Sequence, residues 1–213
     1  MNDFTLYTIT GEQFHPGRSQ TEVIEQAIRG GSDIIQLRDK TSPKRTLLRK
    51  AEELRELTRR YGVTFIVNDH IDVALAVDAD GIHLGQDDLP LTAARRIMGD
   101  KIIGISTHAI EEAREAQREG ADYIGVGPVF ATKSKVDVVD PVTTAYVRQV
   151  AAEITIPWVA IGGIKLHNVD EVLQAGARRI CAISEIVGSS DVQGTCEAFR
   201  LAIQKAGGRE VRR

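Results

Sequence analysis

The sequence predicts the α/β class and, within it, a single (β/α)8 barrel of the TIM type over residues 1–206. Three observations carry that expectation. Short apolar runs of strand length alternate eight times with helical patterns. All eight units fit in 213 residues with no linker and no composition break, which matches the lower size limit of such a barrel, roughly 200 residues. No Gly-x-Gly-x-x-Gly follows the first strand. With the strand count, this argues against the alternative, a doubly wound open sheet.

Phe4–Thr10 reads as the first strand, with Leu6 and Ile9 apolar and Gly11 ending it. Ser19-Gln20-Thr21-Glu22 has capping-box spacing, and Val23, Ile24, Ala27 and Ile28 follow at helical spacing up to Gly30-Gly31. Ser32-Asp33-Ile34-Ile35 is strand two. Thr41-Ser42-Pro43 opens a helix with Leu47, Leu48, Ala51, Leu54 and Leu57 on one face, to about Tyr61. Thr64–Val67 is strand three, stopping at Asn68-Asp69, and Ile71, Val73, Ala74 and Leu75 mark a short helix. Gly81–Leu84 is strand four, and Leu89–Met98 a helix that tolerates Pro90 in its first turn. Ile102–Ile105 is strand five, Ile110–Glu119 a helix and Asp122–Gly127 strand six. A polar loop over Pro128–Pro141 leads to a helix over Val142–Glu153. Trp158–Ile161 is strand seven, Val169–Ala175 a helix, Arg179–Ile183 strand eight and Val192–Ala206 the last helix. The tail, 207–213, is expected to be disordered. Gly31-Ser32-Asp33, Gly120-Ala121-Asp122 and Gly176-Ala177-Arg178 each close a helix before a strand, a weak internal echo.

Composition excludes several classes. With 42% hydrophobic and 27% charged residues the chain has ordinary globular make-up, and a net charge of −3 gives no basic excess for nucleic acid or an anionic membrane. No apolar run approaches the roughly 20 residues of a membrane span. Met1-Asn2-Asp3-Phe4 does not resemble a targeting segment. Cys181 and Cys196 lack metal or redox spacing, so they are expected to be buried or idle thiols in a reducing cytoplasm.

In a parallel barrel, chemistry collects at the C-terminal strand ends. Strand two ends in Gln36-Leu37-Arg38-Asp39-Lys40, where alternation puts Gln36, Arg38 and Lys40 on one face. An amide, a guanidinium and an ammonium together suit an anion, and a diphosphate above all, because Arg grips it bidentately and Lys adds a point charge. Asp69 and Asp88 end adjacent strands and could face one Mg²⁺, which takes one or two carboxylates plus phosphate oxygens and water. Helix capping is the alternative for both, and Asp87 reads as a cap or a solvent charge. Gly162-Gly163 and the end of strand eight suit a phosphate monoester, against the plainer reading of a tight turn. His15 and His167 are expected at the surface in loops, His83 as a satisfied interior group, and His70 and His108 near the rim.

These residues resemble the thiamine phosphate synthase (thiamine-phosphate diphosphorylase) family. The matching pieces are Gln36–Lys40, Val67-Asn68-Asp69, Gly81–Asp88, Gly104-Ile105-Ser106, Gly120–Phe130 and Ala160–Ile164, in order along the barrel. The resemblance implies a Mg²⁺-dependent transferase with two small-molecule substrates. It would join 4-amino-2-methyl-5-hydroxymethylpyrimidine diphosphate to 4-methyl-5-(2-hydroxyethyl)thiazole phosphate or its carboxylated form, releasing diphosphate. It implies that Gln36, Leu37, Arg38, Asp39, Lys40, Asn68, Ser106 and Lys135 hold the pyrimidine diphosphate. Thr132, Lys133, Ser134, Gly163, Ile183 and Ser184 would hold the thiazole phosphate, and Asp69 and Asp88 the metal. Arg38, Lys40 and Lys135 would be catalytic, with no general base required. The enzyme would be cytoplasmic, with association into a homo-oligomer left open. Ala131 stands where the family more often has Pro, Val136–Pro141 lacks a usual glycine, and Glu185 follows Ser184 where a small residue is common. The rival readings are the sister thiazole tautomerase, a sugar-phosphate epimerase or isomerase, and a non-catalytic regulator.

Overall fold

The computed structural model describes residues 4–132 and 140–207. Eight parallel strands close on themselves in sequence order: β1 (Leu6–Ile9), β2 (Ile34–Leu37), β3 (Thr64–Asn68), β4 (Gly81–Leu84), β5 (Ile102–Thr107), β6 (Tyr123–Val126), β7 (Trp158–Ile161) and β8 (Ile180–Ala182), with β8 pairing back onto β1. Helices wrap the outside: α1 (Gln20–Arg29), α2 (Lys44–Tyr61), α3 (Ile71–Ala76), α4 (Leu91–Met98), α5 (Ile110–Glu119), α6 (Thr143–Glu153), α7 (Val169–Gln174), α8 (Ser184–Val187) and α9 (Val192–Gly207). The predicted barrel is therefore the observed one.

Both faces of each strand are covered, so the strands are buried almost throughout, as parallel sheets require. The helices bury one stripe each. Leu47, Ala51, Leu54 and Leu57 of α2 are fully covered, and burial of each leucine contributes about 1.5–3 kcal/mol.

A repeated device locks the N-terminal face. Asp33 Oδ2 accepts the amides of Thr5 and Leu6, Asp80 Oδ2 that of Phe65, and Asp122 Oδ2 that of Ile103. Each aspartate just before an even-numbered strand thus staples the start of the preceding strand. Each also pairs with an arginine from an outer helix: Arg200, Arg55 and Arg95 respectively. The sequence echo proves four-membered, because Asp78-Ala79-Asp80 belongs to it. Asp78, at φ 52°, takes the left-handed position that glycine occupies at Gly31, Gly120 and Gly176. In the fourth copy Arg178 replaces the aspartate and donates to the Leu173 and Ala177 carbonyls instead.

Several details differ from the sequence reading. The Ser19 side chain makes no capping bond, and only its carbonyl accepts from Val23. A 3-10 turn, Glu12–Phe14, and the four-residue α8 are too short to leave a periodic signal. Leu75 and Leu89 are 39% and 41% exposed, since α3 is short and α4 begins only at Leu91. His15 is buried, not at the surface. Its loop is drawn onto the barrel by Arg18, whose guanidinium donates to the carbonyls of Val187 and Ser189. Cys181 and Cys196 are buried free thiols, and burial pushes the Cys196 thiol up to about 11. The tail assignment lies outside the described residues beyond Gly207.

Candidate active site

The ends of β2, β3 and β4 form one charged rim. β2 stops at Leu37, so Arg38, Asp39 and Lys40 lie on the loop above it rather than on a continuing strand. Thr10 clamps that loop: its hydroxyl accepts the Arg38 amide at 2.9 Å and donates to the Arg38 carbonyl at 3.2 Å. Asp39 turns away from the rim. Its Oδ1 accepts the amides of Thr41 and Ser42, and its Oδ2 accepts from Lys50 at 2.7 Å. Burial opposes ionisation, but the bonds from Lys50 and from Ser42 and Thr41 outweigh it and hold the Asp39 carboxyl far below the usual range. Leu37 is 1% exposed in the core, so only its backbone can serve a ligand.

Asp69 sits at φ 60° on the tip of β3, its amide donating to the His83 carbonyl at 3.0 Å. A left-handed non-glycine residue at a strand end is the kind of strained position found at functional sites. Lys40 Nζ is 3.5 Å from Asp69 Oδ2. Burial, then hydrogen bonding and repulsion from Asp88, push the Asp69 carboxyl above its ordinary value, with Lys40 only partly offsetting this. Asp88 Oδ2 accepts the Gly85 amide at 2.7 Å. The capping alternative fails for these residues, because His70 and Pro90 occupy the N-cap positions. Two facing carboxylates, one of them half-buried and resisting ionisation, fit a hard divalent cation. Among the described residues there is no cluster of three acidic, histidine or cysteine ligands. Phosphate oxygens and water would have to complete the shell.

The ends of β7 and β8 form a second, mostly uncharged rim. Gly162 and Gly163 have φ 99° and 63°, and a Cβ on either would meet the Pro128–Ala131 segment within 2.4–2.8 Å. Val129 and Phe130 donate their amides to Ile161 and Gly162. The glycines thus let the chain leaving β6 lie against the end of β7. β8 passes through Ile183 straight into α8, which starts at Ser184. Glu185 is directed aside, its Oε1 accepting the Leu166 amide at 3.3 Å. Thr132 is half-buried at the edge of the described chain, while Lys133, Ser134 and Lys135 lie outside the described residues.

Residues 6–186 match the family model described as thiamine monophosphate synthase. The chain is 71% identical to thiamine-phosphate synthase of Halalkalibacterium halodurans over 97% of this chain and 99% of that protein. It is 63% identical to thiamine-phosphate synthase of Shouchella clausii over 97% and 99%. The chain belongs to the thiamine monophosphate synthase family. It is accordingly a transferase of thiamine biosynthesis. A solved thiamine phosphate pyrophosphorylase from Pyrococcus furiosus superposes with a TM-score of 0.86 at 40% identity, covering 95% of this chain and 96% of that one.

Inside this family barrel the structure adds a polar core that sequence reasoning missed. Tyr7 and Tyr123 reach across the interior and place their hydroxyls 2.9 Å apart. Gln36 Nε2 donates to Tyr7 at 2.8 Å. His83 Nδ1 lies 2.9 Å from the Tyr123 hydroxyl and Nε2 2.9 Å from Ser106 Oγ, so His83 is a satisfied interior group as expected. The one legible signal was Gly104, inside β5. A Cβ there would sit 2.1 Å from the Tyr123 ring. Of the two rim histidines, His70 lies 2.9 Å from Lys44 Nζ, and His108 contacts Glu112.

Proposed function

We propose that this site joins the aminopyrimidine methyl diphosphate to the thiazole phosphate, with Arg38, Lys40 and Lys135 stabilising the departing diphosphate. The single observation behind this is the rim of β2–β4: Lys40 beside half-buried, charge-resisting Asp69, itself facing Asp88. The bond from the pyrimidine methylene carbon to diphosphate oxygen breaks, and its electron pair leaves with the diphosphate. The thiazole nitrogen then supplies its lone pair to the same carbon. No proton moves, so no general base is called for. Negative charge grows on the leaving oxygens, and cationic donors fixed beforehand are what lower that barrier. Asp69 and Asp88 would hold Mg²⁺, which would supply charge neutralisation at the same oxygens. Gln36, Asn68 and Ser106 would seat the pyrimidine. Thr132, Lys133, Ser134, Gly163, Ile183 and Ser184 would take the thiazole phosphate through hydroxyls and backbone amides.

No described helix is long and apolar enough to cross a membrane; a cytoplasmic place accords with the free thiols of Cys181 and Cys196, and small-molecule partners with a net charge of −3 that offers no basic excess for nucleic acid. The test follows diphosphate release with both substrates and Mg²⁺. Product formation that needs all three is expected. Tight binding without turnover would favour the regulator, and thiazole isomerisation without coupling would favour the tautomerase.

A further inference from the structure

The polar groups inside the barrel form one continuous chain, Gln36–Tyr7–Tyr123–His83–Ser106. Its hydrogen direction can be worked out. An amide nitrogen only donates, so Tyr7 accepts from Gln36 Nε2 and its own hydrogen goes to Tyr123. Tyr123 then donates to His83 Nδ1. A neutral imidazole accepting at Nδ1 carries its proton on Nε2, which donates to Ser106 Oγ. Reversal would leave the Tyr7 hydroxyl accepting from both Gln36 Nε2 and Tyr123, with its own hydrogen turned out of this chain. Burial pushes both phenols above their ordinary range, so both keep their protons. The two ends therefore differ in polarity. Gln36 is left with its carbonyl oxygen, an acceptor, and half-buried Ser106 with its O–H, a donor.

We propose that this chain is a positioning device: Tyr7, Tyr123 and His83 act through Gln36 and Ser106, fixing one as acceptor and the other as donor, and so select a ring that pairs an amino group with a neighbouring acceptor nitrogen. The proposal rests on the pyrimidine site read above. A set of polar groups that merely satisfied one another would need no fixed direction. Here direction is set at one end, by an amide on β2, and delivered at the other, on β5, across the full width of the barrel. Gly104 provides the space through which the Tyr123 ring passes. Residues 29 and 116 positions apart become neighbours in the chain.

Imidazole ¹⁵N NMR of the wild-type protein without ligands reads the direction without any substitution. His83 is expected as the neutral tautomer protonated at Nε2 at neutral pH. A tautomer protonated at Nδ1, or an imidazolium, overturns the proposal. Tyr7→Phe frees the Gln36 amide to turn. The preference for the aminopyrimidine diphosphate over its oxo analogue should then fall about tenfold, with KM for the thiazole phosphate within about twofold of wild type. Tyr123→Phe should raise KM for the pyrimidine diphosphate about tenfold in the wild-type background and have no further effect in Ser106→Ala. Unchanged preference in Tyr7→Phe, or additive losses in the cycle, also overturns it. Wild-type protein that fails to turn over the pyrimidine diphosphate would instead sink the functional reading and leave the tautomer result standing.

Discussion

Asp80 and Asp69 lie eleven residues apart in sequence and at opposite ends of the barrel, and they meet opposite treatment. Asp80, before β4, is saturated. Arg55 grips it with two bonds of 2.8 and 3.0 Å, and the Phe65 amide adds a third of 2.8 Å. Asp69, after β3, is half-buried among poor partners. Its ammonium neighbour stands at 3.5 Å, and a second carboxylate faces it. The N-terminal end spends its aspartates on holding strands together. The C-terminal end keeps a carboxylate in a place where folding alone does not satisfy it, which is what a site awaiting a cation requires.

The largest expected effect breaks the rim. Asp69→Asn should lower turnover about 10²–10³-fold while raising stability at neutral pH. The sign follows from linkage. A carboxyl whose folded pKa lies above its unfolded value disfavours the folded state once the pH exceeds both, and has no effect where both forms are protonated. The unfolding temperature of the variant should therefore exceed that of wild type at pH 7, with the difference shrinking as the pH falls through the raised folded value and gone below about pH 3.5. The exchange also weakens the ion pair with Lys40, but that lysine side chain is 45% exposed and the pair is worth little. A variant less stable than wild type at pH 7 would make Asp69 a structural residue like Asp80.

The second substitution inverts the first. Asp80→Ala removes a bidentate ion pair and leaves the mostly buried Arg55 without it, which should cost about 2–4 kcal/mol. Activity per folded molecule, followed alongside urea unfolding, should stay within about twofold. A large loss of activity in the folded protein would erase the division of labour between the two ends.

Lys50 tests a residue at the C-terminal end that is itself saturated, as Asp80 is at the other. Its ammonium sits between Asp39 Oδ2 at 2.7 Å, Glu12 Oε2 at 2.8 Å and Ser42 Oγ at 3.3 Å, with its side chain 12% exposed. It pins the loop that carries Arg38 and Lys40. Lys50→Met should lower kcat/KM roughly tenfold through a misplaced loop, with stability down by about 1–2 kcal/mol. Because the Asp39 carboxyl is held low, its stabilisation is complete above its ordinary value, about pH 4, and is lost as the pH falls. The variant should show a smaller part of that acid-dependent loss. An unchanged pH profile would mean that the turn amides alone hold Asp39.

The sequence carried the barrel well because its punctuation is chemical. Glycine stops, strand-length aliphatic runs and helical stripes each appear in residue types. What escaped was what residue types do not encode. Asp78 performs a glycine's task, so the Asp78-Ala79-Asp80 copy of the echo was invisible. Tyr7, Tyr123 and His83 each look like an isolated polar group in an apolar strand, and only closure of the barrel brings them into one chain. At the rim, Asp69 and Asp88 were legible because adjacent strand ends must be neighbours. Asp39 was not, since nothing in Arg38-Asp39-Lys40 says that the middle residue turns back to Lys50.

The smallest expected effect concerns the uncharged rim of β7 and β8, and it asks how far that rim depends on charge at all. Glu185 follows Ser184 and accepts the Leu166 amide at 3.3 Å. Glu185→Gln keeps an acceptor oxygen for that amide and removes one negative charge near the proposed phosphate position. At low ionic strength KM for the thiazole phosphate should fall about two- to threefold, the size of a partly exposed like-charge interaction. At about 0.5 M salt the difference should vanish, because the Debye length is then only about 4 Å. A rise in KM of about tenfold instead would mean that the carboxylate tie to Leu166 shapes the phosphate loops. The second rim would then depend on a side-chain charge, and the contrast with β2–β4 would be one of degree.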